Sequence, residues 1–101
     1  MGNLTILFSG GEVELTCSIT DGQEYPIFWT RLNQQGNGFP LSSGPTLLVK
    51  DTRFALDHED ASGTYTLSIK DVQPSDAAVY QCQVVVSLHN MITADVKLQV
   101  N

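Results

Sequence analysis

Asp76-Ala77-Ala78-Val79-Tyr80-Gln81-Cys82 is the stretch on which the fold turns. Tyr80 stands two positions before Cys82, where a tyrosine hydroxyl can tie a sandwich strand back to upstream backbone. Working outward, the only other cysteine is Cys17, 65 residues upstream. Two cysteines allow one intramolecular pairing. Closing so long a loop stabilises a small domain by roughly 4 kcal/mol in the chain-entropy picture. Trp29, the single tryptophan, follows Cys17 on the next predicted strand, where it would pack on the bridge.

The flanking sequence supports the same architecture. Val13, Leu15, Cys17 and Ile19 alternate with Glu12, Glu14, Thr16 and Ser18, and Asp21-Gly22 turns the chain. Such alternation marks strands with one buried face. Leu4, Ile6 and Phe8 alternate before Ser9-Gly10-Gly11, and Ile27, Trp29 and Arg31 oppose Phe28, Thr30 and Leu32. A hairpin tip is expected at Gly36-Asn37-Gly38, then short strands near residues 39–42 and 46–49. Residues 53–56 and 65–69 read as the next strand pair, joined by the polar Asp57-His58-Glu59-Asp60. Residues 79–87 and 92–100 complete the set, with Ala94, Val96, Leu98 and Val100 opposite Asp95, Lys97 and Gln99. Pro74–Ala78 is too short for more than one helical turn. The reading is all-β, an immunoglobulin V-type (V/I-like) antiparallel sandwich with one inter-sheet disulfide. Arg53 and Asp76 are expected to form a partly buried structural ion pair across its lower end.

Length and composition agree. The 101 residues form one domain, 1–101, which reads as a piece of a longer extracellular protein of several such domains. With 5 basic and 11 acidic residues the formal charge is −6. That balance excludes nucleic acid and an anionic membrane surface as partners, since both select clustered Lys and Arg. No apolar run approaches the ~20 residues of a membrane span. Any membrane attachment would lie outside this stretch. The start lacks a signal-peptide pattern, yet a domain built on a disulfide matures in an oxidising, extracellular setting. Asn3-Leu4-Thr5 is a glycosylation sequon, placing a candidate glycan on Asn3.

Catalytic patterns are missing: no Cys-x-x-Cys, His-Glu-x-x-His, Gly-x-Ser-x-Gly or lysine-bearing phosphate loop occurs. His58 lies among acidic residues that suit a hard cation in principle, but a solvated turn between strands accounts for them. The expectation is no enzyme, no cofactor, no metal and no small-molecule substrate.

Parity then assigns a surface. With Trp29 and Cys82 pointing inward, Phe28, Thr30, Leu32, Gln81, Gln83 and Val85 point outward from the sheet of the C, C′, C″, F and G strands. Phe39, Leu41, Leu88 and Met91 are expected at its margins. An apolar patch holding a few uncharged hydrogen-bonding groups describes the core of a protein–protein interface.

Several segments also resemble a known family. They are Leu41-Ser42-Ser43-Gly44, residues 49–54 (Val-Lys-Asp-Thr-Arg-Phe), residues 65–73 (Tyr-Thr-Leu-Ser-Ile-Lys-Asp-Val-Gln) and residues 80–87 (Tyr-Gln-Cys-Gln-Val-Val-Val-Ser). Over its whole length the chain is similar to the first domain of lachesin-like and amalgam-like neural immunoglobulin-superfamily proteins of invertebrates. The resemblance implies neuronal cell-surface adhesion through the same face. The partner would be another immunoglobulin domain, identical or related, and a homodimer is expected. It assigns contact to Phe28, Leu32, Leu41, Gln83, Val85 and Met91; Gln83, following Cys82 at the centre of the sheet, is expected to be a hydrogen-bonding hub. Two other readings stay open. A soluble immune-type variable domain usually carries Phe-Gly-x-Gly where Met91-Ile92-Thr93-Ala94 stands here. A structural spacer domain predicts a charged, featureless face.

Overall fold

A computed structural model describes residues 4–7, 11–18, 25–33, 35–59 and 63–100. The sequon residue Asn3, Ile19, Asp21-Gly22 and Asp60 lie outside them. Ten strands are present among the described residues: β1 (Leu4–Leu7), β2 (Val13–Cys17), β3 (Ile27–Leu32), β4 (Gly38–Pro40), β5 (Ser42–Ser43), β6 (Thr46–Leu47), β7 (Phe54–Glu59), β8 (Thr64–Ile69), β9 (Ala78–Ser87) and β10 (Asn90–Val100). One sheet runs β1-β10-β9-β3-β4, with β1 parallel to β10 and the other pairs antiparallel. A second runs β2-β8-β7, and β5-β6 form a two-stranded ribbon.

The core lies between the two larger sheets. Strict alternation in β2 buries Val13, Leu15 and Cys17 and leaves Glu14 and Thr16 in water. These meet Leu67 and Ile69 from β8 and Ile27, Trp29, Tyr80, Cys82, Val84, Val96 and Leu98 from the larger sheet. Cys17 and Cys82 are bridged between the sheets, their Cα atoms 6.4 Å apart. A single 3-10 turn at Pro74–Asp76 precedes β9.

The lower end is tied by charge. Arg53 grips Asp76 with both terminal nitrogens, Nη1 to Oδ2 at 2.8 Å and Nη2 to Oδ1 at 3.0 Å. The same guanidinium pairs with Asp51 at 3.0 Å and donates to the Asp71 carbonyl at 2.9 Å. Burial alone would raise the Asp76 carboxyl; the Arg53 hydrogen bonds and the Gln73 N–H outweigh it and hold Asp76 below its ordinary value. The Tyr80 hydroxyl donates to the Asp76 carbonyl at 2.7 Å, and burial pushes that phenol up to about 12.

Four local expectations are corrected. The strand expected near 39–42 divides: Pro40 has no N–H to continue the ladder, and Ser42 starts a new ribbon. Leu41 N–H still donates to the Trp29 carbonyl, and the Ser42 hydroxyl accepts from Trp29 N–H, so the segment keeps tracking β3. The strand expected at 46–49 shortens to Thr46–Leu47 and pairs with β5 across a turn at Gly44, whose φ is +56°. It therefore does not join the five-stranded sheet, and Leu47 and Val49 pack against the core. Asp57-His58-Glu59 continues β7 instead of turning, because its register with β8 holds as far as Glu59–Thr64, and His58 stacks on Tyr65 at 4.1 Å. The first hairpin turns one step earlier than expected: Asn33 Oδ1 accepts from Gln35 and Asn37 N–H, Gly36 takes φ +81°, and Gly38 is already strand.

Candidate functional site

The outward surface of the five-stranded sheet is read from cross-strand register, since residues directly opposite share a side. Phe28, Gln83 and Thr93 form one row. Thr30, Gln81 and Asp95 form the next, and Leu32, Val79 and Lys97 the row below. Above Gln83, Val85 pairs with Met91. Phe28, Leu32, Val79, Gln81, Gln83 and Val85 are half-buried, and Met91 is 52% exposed. Side chains link across the rows. The Gln83 amide donates to Gln81 Oε1 at 2.7 Å, and the Gln81 amide donates to Asp95 Oδ1 at 3.0 Å.

Three expected members are placed elsewhere. Leu41 is only 5% exposed and belongs to the core, drawn in by its bond to Trp29 backbone. Phe39 is opposite Arg31, so it shares the other side of the sheet and projects at the edge, 55% exposed. Leu88 sits on the turn after β9, past the end of the flat surface. Thr30 has the outward parity but is 8% exposed. It packs so close to Gly38 that a Cβ there would lie 2.9 Å from Thr30 Cγ2.

Four members of the surface went unnoticed in the sequence: Val79, Thr93, Asp95 and Lys97. By its alternation β10 is only a strand with one wet side, and register alone places that side beside Gln81 and Gln83. Among the described residues Asp95 and Lys97 are the only charges on this surface, and they form no ion pair with each other. The arrangement can bury apolar area and offer amide hydrogen bonds. No group of three or more His, Cys, Asp or Glu side chains among the described residues could hold a metal ion. No helix among them is long and apolar enough to cross a membrane.

The immunoglobulin V-set domain model matches residues 7–101. The chain belongs to the immunoglobulin V-set family. Relatives of this V-set domain include lachesin of Schistocerca americana, 52% identical over 93 residues, and lachesin of Drosophila melanogaster, 44% identical over 91. Protein amalgam of Drosophila melanogaster is 27% identical over 97. Each alignment covers 90% of this chain, whereas the chain spans only 25–29% of the relatives' own length. The resemblance drawn from the sequence is borne out. Among solved structures the V-set domain is similar to the RIG-5 IG1 homodimer, with a TM-score of 0.81 and 21% identity, covering 96% of this chain and 88% of that one. It is also similar to Dpr2 Ig1-Ig2 in complex with DIP-Theta Ig1-Ig3, with a TM-score of 0.82 and 24% identity, covering 100% of this chain and 44% of that one. At those identities the likeness is one of fold.

Proposed function

We propose that this domain is an extracellular recognition module that binds another immunoglobulin domain, its own copy or a close relative, through the outward surface of the five-stranded sheet. One observation carries the reading. On a chain of formal charge −6, the surface built from Phe28, Leu32, Val79, Gln81, Gln83, Val85 and Met91 holds a single acid and a single base among the described residues. Two acidic molecules can meet there without bringing like charges together, and burying its apolar side chains drives association. A spacer domain has no use for such a surface. The relatives named lachesin and amalgam, and neighbours described as an Ig homodimer and an Ig–Ig complex, support the same reading. The contact is two-fold and self-complementary, burying about 1,200–2,000 Å² in total. The parent protein carries further domains, works at the cell surface and is non-enzymatic.

Sedimentation equilibrium over a concentration series tests this. The parent chain self-associates, and Phe28→Asp or Val85→Asp leaves a folded monomer. Variants that associate as the parent does would place the contact on another surface. A strictly monomeric parent would restrict the partner to a related chain.

A further inference from the structure

Charge on the outward surface is confined to one strand. Along β10, Met91, Thr93, Asp95 and Lys97 take the outward side, and only the last two are charged. Both are exposed, and the bond from the Gln81 amide to Asp95 Oδ1 fixes that carboxylate beside Gln81. Lys97 shares its row with Leu32 and Val79 and has no acidic partner among the described residues. The two stand two residues apart, about 6.8 Å along the strand.

Two copies meeting on this surface must place these charges somewhere. A two-fold contact is reciprocal, so if Asp95 meets Lys97 of the second copy, Lys97 meets Asp95 of that copy in return. The axis of a face-to-face pair lies in the plane of contact. An axis along the strands keeps every residue at its own height. Over β10 it would set Asp95 on Asp95 and Lys97 on Lys97, and like charges directly opposed are costly. Over β9 it would close Asp95 under Thr30 and Lys97 under Leu32, where neither charge is compensated.

An axis across the strands reverses heights instead. Where it passes below Gln83, near Tyr80 and Val96, it exchanges the row of Asp95 with the row of Lys97. Each Asp95 then lies over Lys97 of the second copy, and Thr30 and Gln81 lie over its Leu32 and Val79. We propose that Asp95 of each copy pairs with Lys97 of the other, so that two reciprocal ion pairs set the orientation of the contact. Pairs of this kind select partner and register more than they add affinity, and here they favour a chain carrying the same acid and base. The proposal rests on the face reading above and adds the direction of the axis.

Charge reversal tests it by sedimentation equilibrium. Asp95→Lys and Lys97→Asp each set like charges together at two places, and each should self-associate at least tenfold more weakly than the parent. An equimolar mixture of the two should form a heterodimer, because both pairs are then opposite in sign. The chain carrying both substitutions should self-associate within about threefold of the parent. Attraction between oppositely charged faces accounts for the mixture but not for this chain, whose face keeps the parent's net charge. Single reversals that associate as the parent does would overturn the pairing. So would a double variant as weak as the single ones, in a parent that dimerises and is separated by Phe28→Asp; the face reading would then stand without it. A parent chain that is monomeric throughout would remove both the self-contact and the pairing.

Discussion

Gln83 and Gln81, two residues apart on β9 and on the same side of the sheet, are joined by a 2.7 Å hydrogen bond in which the Gln83 amide donates and Gln81 Oε1 accepts. Gln81 can then donate only through its own amide, which it gives to Asp95. The chain of bonds orients both amides on the outward side of the sheet.

Gln83→Glu tests that polarity. A carboxylate cannot donate to Gln81 Oε1, and it would place a charge at the centre of the proposed contact. Association is expected to fall at least tenfold at pH 7 and to recover as the solution is acidified through the glutamate range, about pH 4 to 5. Sedimentation at both pH values reads it. A weakening independent of pH would mean that charge is not what the substitution changes.

Acid should loosen the lower end of the sandwich. The Asp76 carboxyl sits below its ordinary 3.8 in the fold, because Arg53 and the Gln73 N–H favour the ionised form more than burial opposes it. Such a group adds stability that is fully present above the unfolded value and disappears as pH falls through the folded one. Stability should therefore hold down to about pH 4 and drop below it. Asp76→Asn should cost about 2 kcal/mol at neutral pH and flatten the acid limb, measured by urea unfolding across pH. An unchanged acid limb would assign it to other carboxylates.

Asp71 is the one residue other than glycine with positive φ among the described residues, at 47°. Its carbonyl accepts from Arg53 Nη1 at 2.9 Å and from the Gln73 amide at 2.8 Å, so the turn is held from two sides. Left-handed backbone costs an L-residue about 1–2 kcal/mol and penalises β-branched side chains most. Asp71→Val should lower stability by about that amount, whereas Asp71→Gly should stay within about 0.5 kcal/mol of the parent in the same unfolding assay.

Much of this was legible in the amino-acid order. The alternation of Val13, Leu15 and Cys17 and the spacing of Cys17, Trp29, Tyr80 and Cys82 point to two sheets and the side each residue takes, because side-chain period and disulfide reach are local rules. Hidden was whatever depends on a neighbouring strand. Thr93, Asp95 and Lys97 look like an ordinary wet side until register sets them beside Gln81 and Gln83. Asp57-His58-Glu59 looks like a turn by composition, yet pairing with β8 makes it strand. Between Phe39 and Leu47, Pro40 and Gly44 interrupt the ladder, so parity counted straight along the chain loses its reference.

That interruption supplies a last prediction, using the two residues it displaced. Leu41 is buried and its N–H bonds to Trp29, whereas Phe39 projects from the edge strand on the side opposite Thr30 and Leu32. Leu41→Ala removes a core side chain and should cost about 2–4 kcal/mol, with weaker association only as far as unfolding lowers the active concentration. Phe39→Ala exposes no core and lies off the outward surface, so it should change stability by less than about 1 kcal/mol and leave the dimer constant within about twofold. Urea unfolding and sedimentation on the same two proteins separate the cases. A Phe39→Ala chain that is stable but monomeric would move the contact around the β4 edge, and the row through Phe28, Gln83 and Thr93 would lose its central place.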